Sequence, residues 1–364
     1  MRIAIIGAGI AGLATAKRLL DNGHEVIVLE RNAAFREIGL GFILLPNGIE
    51  AMQQMGAWEQ AIAHGLALDK VYLQNSAAMP IVSASMQDAV AIKRSRCIDA
   101  LRYLLPENII KTNFCFSHFT YNLHGEALAV HSTNGELMEA DIFIAADGAN
   151  SPVRASLFPT HTVRSSRIHE LVGICDAETI NKQLAGSLLK TQEEALALTF
   201  GLLPCNATQV IWYMQYDSSR YVLENTDDAT KKAFALQHVG HWPAPIKGII
   251  ELTDFAKVFL WQTKDMELLP CFHQQNIVLA GDAAHLALPF TSQGTNSALN
   301  DALFLGNHLS PSCTKADLPA ILNSYYDSRK TSLQTYLQFG RTLEDRFLYP
   351  EKHKDSNTPI PFAK

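Results

Sequence analysis

The stretch RIAIIGAGIAGLATAKRLLDNGHEVIVLE, residues 2–30, decides the fold. Arg2 to Ile6 reads as a fully buried strand, Ile10 to Leu20 as a helix, and Glu25 to Leu29 as a second buried strand, because continuous apolar runs alternate with a helical period. Gly7, Gly9 and Gly12 follow the Gly-x-Gly-x-x-Gly spacing, with Ala16 after them. Gly7 permits the sharp strand-to-helix turn, Gly9 lets backbone N–H groups approach a pyrophosphate, and Gly12 with Ala16 lets the helix lie close to the sheet. The helix start adds unpaired N–H donors and partial positive charge. Glu30, 18 residues after Gly12, is placed to accept hydrogen bonds from a ribose. The glycines alone would leave a merely tight turn open. Strand, helix and acid together predict a dinucleotide site.

Outward from this unit, Ile142 to Ala146 and Asn276 to Ala280 read as further buried strands of the same sheet. Residues 168–262 differ in character. Leu196 to Leu203, Gln209 to Tyr216 and Ala256 to Trp261 are alternating and aromatic-rich, and Pro204-Cys205-Asn206-Ala207 suits a hairpin turn. On the second of these strands Val210, Trp212, Met214 and Tyr216 share one face, for a core, and Ile211, Tyr213 and Gln215 the other, for a ligand. The predicted fold class is α/β: a Rossmann-like domain with a parallel sheet, a mostly antiparallel β-sheet substrate domain, and C-terminal helices. The predicted division assigns 1–68, 97–166 and 265–345 to the nucleotide domain, 69–96 and 167–264 to the substrate domain, and 346–364 to a tail.

With 364 residues, two domains are expected. The net charge of −6 and scattered basic residues exclude the positive stripe that nucleic-acid binding needs. No apolar run is long enough for an integral membrane segment. Residues 3–16 after Met1-Arg2, with Ala14-Thr15-Ala16, mimic a secretory leader, yet the glycines suit a phosphate loop better, so the segment is expected to be retained. Six separated cysteines without a Cys-x-x-Cys pair predict reduced thiols and a cytoplasmic protein.

Two later constellations carry chemistry. Asp141 to Arg154 is a strand emptying into the turn Asp147-Gly148 and a basic helix start. Gly281-Asp282-Ala283-Ala284-His285 is followed by Pro289, Gln293-Gly294-Thr295-Asn296 and a helix through Asp301. An aspartate at the carboxyl end of a buried parallel strand lies where ligands bind in open α/β sheets, and can hold the hydroxyls of a polyol.

These residues, in this order, resemble the class A flavoprotein monooxygenases, the family of para-hydroxybenzoate, salicylate and urate hydroxylases. The resemblance covers most of the chain and implies FAD as cofactor, with NADH or NADPH as co-substrate. It implies that Gly7, Gly9, Ala11, Gly12, Glu30 and Arg31 hold the ADP half, that Asp147 belongs to a motif shared by FAD and NAD(P)H, and that Asp282 holds the ribityl chain. Arg36 and Gly41, in Arg36-Glu37-Ile38-Gly39-Leu40-Gly41, and Arg94 fit the urate- and salicylate-hydroxylase-like branch, where arginines reach FAD. Pro289, Gln293, Gly294, Thr295 and Asn296 would surround the isoalloxazine, Pro289 and Gly294 being the catalytic flavin environment, with no side-chain base assigned. Cys97 and Lys93 depart mildly from the pattern, where leucine and histidine are usual.

In the implied mechanism NAD(P)H reduces FAD, oxygen adds at flavin C4a, and the hydroperoxide passes its distal oxygen to an aromatic or electron-rich small molecule, hydroxylating or epoxidising it. The helix start near Ser292 to Gly294 would supply the positive field that a reduced flavin needs, at about half a charge. The apolar second domain would keep the intermediate dry. No second glycine-rich βαβ unit is present in the sequence, so the nicotinamide would bind transiently. Competing readings are an FAD-dependent reductase or dehydrogenase of a lipid or isoprenoid, a flavin-dependent halogenase, and a non-catalytic flavin-binding regulator. A halogenase's Trp-x-Trp-x-Ile-Pro segment is missing, since Trp58, Trp212, Trp242 and Trp261 stand far apart.

Among thirteen histidines, His238 and His241 have a ligand-like gap without a carboxylate or cysteine partner, and Gly240 with the following prolines argues against a helix there, so no metal is expected. His285 reads as flavin-site architecture, and Arg164, Arg167, Arg220 and His169 as solvated charges rather than substrate partners. Tyr213 and Gln215 are the candidate substrate residues. Small-molecule substrate and O2 are the expected partners, in a monomer or homodimer.

Overall fold

The computed structural model describes residues 1–35 and 40–353, within which the strands form three sheets. The first has six strands in the order His273–Gln274, Ile277–Leu279, Ile142–Ala145, Arg2–Ile6, Glu25–Leu29 and Ile110–Lys111. Its neighbours run parallel except at the His273–Gln274 edge. The three segments that the sequence assigns to one sheet are adjacent, with Ile3 opposite Ile142 and Ile144 opposite Val278. These strands are apolar on both faces because both faces are covered. The helix Ile10–Asp21 buries Ile10, Leu13, Ala14, Ala16 and Leu19, the stripe that its period demands, and the helix Gln293–His308 packs along it.

The second sheet has eight strands: Phe259–Met266, Val163–Asp176, Gln209–Asp217, Leu198–Pro204, Ser187–Glu193, Gly65–Asn75, Pro80–Lys93 and Gly41–Leu44. It is antiparallel apart from the pairing of Ser187–Glu193 with Gly65–Asn75. Val210, Trp212, Met214 and Tyr216 bury against the helices Asp228–Val239 and Ile246–Leu252, as the alternation predicts. Trp212 stacks on Phe200 at 5.3 Å and donates its indole N–H to Thr253 Oγ1 at 2.8 Å, so its polar handle is satisfied. A small three-stranded sheet, Phe116–Tyr121, Ala127–Ser132 and Leu137–Glu139, flanks the first.

Several expected boundaries move. The strand expected from Leu196 starts at Leu198, because Ala197 takes φ +50 after a 3-10 turn at Glu194–Leu196. The strand expected over Ala256 to Trp261 is the turn Phe255–Lys257, capped by Asp254, and then the strand Phe259–Met266. His238 lies in a helix after all: Asp227 accepts from the Thr230 N–H at its start, and the prolines come only after Val239. The strands Gly65–Asn75 and Val163–Asp176 run through the divisions expected at 68/69 and 166/167, and the helix Leu318–Leu348 through that at 345/346. Among the described residues no helix is long and apolar enough to cross a membrane, and no cluster of three or more His, Cys, Asp or Glu could hold a metal.

Candidate active site

The phosphate loop owes its shape to contacts that a side chain would forbid. Gly7 has φ +108, and a methyl group on it would stand 2.4 Å from the Ala146 carbonyl oxygen. One on Gly12 would stand 1.9 Å from the Gly7 carbonyl oxygen. Gly9, by contrast, faces open space with Arg94 Nη2 3.8 Å from such a position, so the Arg94 guanidinium stands over the loop. The Ala8 N–H donates to Glu30 Oε2 at 3.0 Å, and the Asn32 N–H to Glu30 Oε1 at 2.9 Å. The acid thus ties the loop to the end of the second strand, a role that spacing alone did not reveal. Arg31 is exposed beside it, and Arg36 lies outside the described residues.

At the carboxyl end of Ile277–Leu279, Gly281 takes φ +61 and turns the chain toward Asp282. The Asp282 side chain accepts no hydrogen bond from the described residues, and burial pushes its carboxyl above the usual range, with His285, Arg94 and Arg154 opposing. Beneath it lies a network centred on the fully buried Asp301. Asp301 Oδ2 accepts from the Gly281 N–H at 2.9 Å and contacts His285 Nε2 at 2.6 Å, while Oδ1 accepts from Arg329 Nε at 3.0 Å. His285 is therefore site architecture, and Asp301 and Arg329 are its partners. Arg154 was legible only as a basic helix start. Its guanidinium donates to the carbonyls of Ala149, Asp282 and Ala283, clamping the Asp147-Gly148 turn to the Asp282 turn. Asp147 accepts from the Val153 N–H through Oδ2, while its buried Oδ1 has no partner.

The helix Gln293–His308 opens toward the same place. Ser292 precedes it with φ 52 and makes no side-chain cap, so the first-turn N–H groups stay available. The side chain of Asn296 has a structural role. Its amide accepts from the Leu45 N–H at 3.0 Å and donates to the Ile43 and Ser292 carbonyls, so this fully buried side chain is a clamp between elements. Gln293 Oε1 accepts from Asn47 Nδ2 at 3.3 Å.

Gly41, Asp282, Pro289, Gly294 and Thr295 line a single cleft of about 700 Å³, and Tyr213 and Gln215 line it as well. Its remaining wall is largely apolar, with Phe42, Val172, Leu188, Leu203 and Ile211. Arg346 and Phe347 close one side, so these residues belong to the cleft wall and not to a tail. Glu170, Lys190, Gln192 and Thr199 also face the cleft, and sequence reading had missed them. Arg164 pairs with Asp265 and Glu344, and Arg167 and Arg220 pair with Asp217, so these three are tied into ion pairs and do not point as free cations into the cleft.

A family model described as an FAD binding domain matches residues 1–340. The chain is 25% identical to "Monooxygenase 1" of Arabidopsis thaliana, covering 94% of this chain and 90% of that one. It is 26% identical to the 3-amino-4-hydroxybenzoate 2-monooxygenase of Streptomyces cremeus, covering 84% and 77%. In fold it is similar to Klebsiella pneumoniae HpxO, solved with FAD and uric acid, with a TM-score of 0.87 at 19% identity over 97% of this chain and 90% of that one.

Proposed function

Because the chain belongs to the FAD binding domain family of flavin-dependent monooxygenases, we propose that its cleft admits a flat, electron-rich aromatic molecule and oxygenates it beside the Pro289 to Thr295 segment. The enzyme uses FAD, with NAD(P)H as co-substrate. The observation that carries the reading is the Asp282 carboxylate, unpartnered in a cleft that an uncapped helix start also lines, while Ala11 of the phosphate loop packs against the neighbouring Gly281. A half-buried carboxylate without donors, facing a cleft, fits a ligand with hydroxyls, and open space over Gly9 fits a diphosphate. When bound, FAD supplies electron transfer and oxygen activation.

The chain's own residues do the rest. Gly7 to Gly12 and Arg94 would hold the diphosphate, Glu30 the ribose, and Asp282 the polyol. The N–H groups of Gly294 and Thr295 would set partial positive charge against the ring system, without offering it an acid. The apolar wall excludes water from the reacting end. The aromatic class is supported by relatives whose names state such substrates. A cytoplasmic location, supported by six free cysteines, and a monomer or homodimer are proposed with it.

Absorbance of the purified protein, followed by oxygen uptake during NAD(P)H oxidation with an aromatic panel, tests the reading. A colourless protein that takes up no FAD, or NAD(P)H oxidation without oxygen uptake, would overturn it in favour of the non-catalytic or dehydrogenase readings. Asp282→Ala is expected to leave the fold intact and to lower FAD occupancy after purification; occupancy equal to the parent removes the polyol role. Glu30→Ala should weaken FAD binding by about 1–3 kcal/mol, since it removes a charged acceptor from both ribose and the Ala8 N–H. Equilibrium titration of the apoprotein checks it, and unchanged affinity rejects it.

A further inference from the structure

The strands that roof the cleft carry polar side chains in two neighbouring rows. Register places Gln192 beside Thr199, Thr199 beside Gln215, and Gln215 beside Glu170. In the adjoining row Lys190 lies beside Gly201, and Gly201 beside Tyr213. Residues two apart on a strand share a face, so the six side chains of these rows converge on the cleft, which all of them line. Gly201 leaves the centre bare, and the Tyr213 ring lies across it: a methyl group at Gly201 would fall 2.1 Å from Tyr213 Cζ.

Such a cluster is costly against the apolar part of the wall, with Val172, Leu188, Leu203 and Ile211, unless something binds it. Glu170 Oε1 accepts from Gln215 Nε2 at 2.7 Å, while Oε2 accepts nothing from the described residues. Lys190 Nζ and the Tyr213 hydroxyl likewise make no hydrogen bond to them. Burial pushes the Glu170 carboxyl up to about 7, with Gln215 and Lys190 opposing, and lowers the Lys190 ammonium, with Glu170 opposing. Glu170 and Lys190 are thus electrostatically coupled, and the cavity contains an open acceptor and an open donor.

We propose that Glu170 and Lys190 are the specificity-determining pair of this cleft, selecting an uncharged N-heteroaromatic ring whose edge carries a hydroxyl or N–H near a carbonyl. The inference rests on the monooxygenase reading and names the substrate class within it. Glu170 accepts the ring donor, and Lys190 donates to the ring oxygen. The proton passes from the substrate O–H or N–H to Glu170 Oε2, the bonding pair stays on the ring, and the resulting charge faces Lys190. The ring becomes more electron-rich, as oxygenation requires. A carboxylate on that edge would instead confront Glu170 and leave it without a donor. Arg346, another cation on the wall, is already engaged with Glu194 at 3.5 Å; Lys264 is the remaining one that an acid substrate could use.

The FAD-loaded enzyme is titrated with 2-hydroxyquinoline, whose N–H adjoins its carbonyl, and with 4-hydroxybenzoate, following the change in flavin absorbance and then stimulated NAD(P)H oxidation. The expected result is at least tenfold tighter binding of 2-hydroxyquinoline. Glu170→Gln should raise its KM and lower kcat by tenfold or more, with Glu170→Asp recovering part of kcat, whereas Lys190→Met should act on kcat more than on KM. FAD occupancy of each variant reports folding. Equal or tighter binding of 4-hydroxybenzoate by the parent, or Glu170→Gln kinetics equal to the parent, overturns the pair. The absorbance titration needs no turnover, so loss of oxygen uptake with every ring would refute the monooxygenase reading while the pair is still judged by the binding preference.

Discussion

Asp301→Ala is expected to cost about 3–5 kcal/mol of stability and to deplete the purified protein of flavin. The carboxylate is fully buried and is shared by the Gly281 N–H, His285 and Arg329, so truncation leaves a mostly buried arginine and a buried backbone donor without their acceptor. Because Gly281 precedes Asp282 and is held at φ +61, the loss is transmitted to the polyol site. Asp301→Asn keeps an acceptor for the Gly281 N–H but not the charge, and should fall between the two. Burial pushes the Asp301 carboxyl up, but His285, Arg329 and the hydrogen bonds outweigh it and hold it at about 2. Its folded value lies below the unfolded one of about 3.9, so its contribution is complete above that pH and fades as the pH falls toward 2. Thermal unfolding of parent and Asp301→Ala at pH 7 and pH 3 checks this. A parental midpoint and flavin content for Asp301→Ala would show that the network is dispensable.

Gly12→Ala is expected to weaken FAD binding at least tenfold, about 1.4 kcal/mol, and to lower stability by ~1–3 kcal/mol. Its methyl group meets backbone, the Gly7 carbonyl at 1.9 Å, with Ile5 Cγ2 at 3.4 Å behind it. Neither can swing aside like a flexible side-chain tip, so the helix must lift from the strand or the loop must open. Gly9→Ala separates packing from binding. Its methyl group comes no nearer than 3.8 Å to Arg94, so stability should hold while space assigned to the diphosphate is lost. Calorimetry with FAD titration of both variants decides it; Gly12→Ala with parental affinity would sink the close-approach argument.

What could be read directly from the residues was local and periodic. The βαβ unit, its glycines and Glu30 depend on spacings within thirty residues, and the geometry of a strand or helix turns such spacings into faces and turns. The same alternation separates Trp212 from Tyr213 and puts Tyr213 and Gln215 on the cleft side without reference to any partner strand. Asn296 shows the limit: its place in the motif points toward the cofactor, but nothing in that spacing shows that its side-chain amide is engaged by Ile43, Leu45 and Ser292. Tertiary structure alone brought Arg154 to the Asp282 carbonyl, Arg329 to Asp301, and Glu170 and Lys190 to one cavity. These partners sit on different strands and helices, joined by cross-strand register and by the packing of separate elements. Neither is encoded in any local spacing, because both emerge only when distant apolar faces are buried against each other.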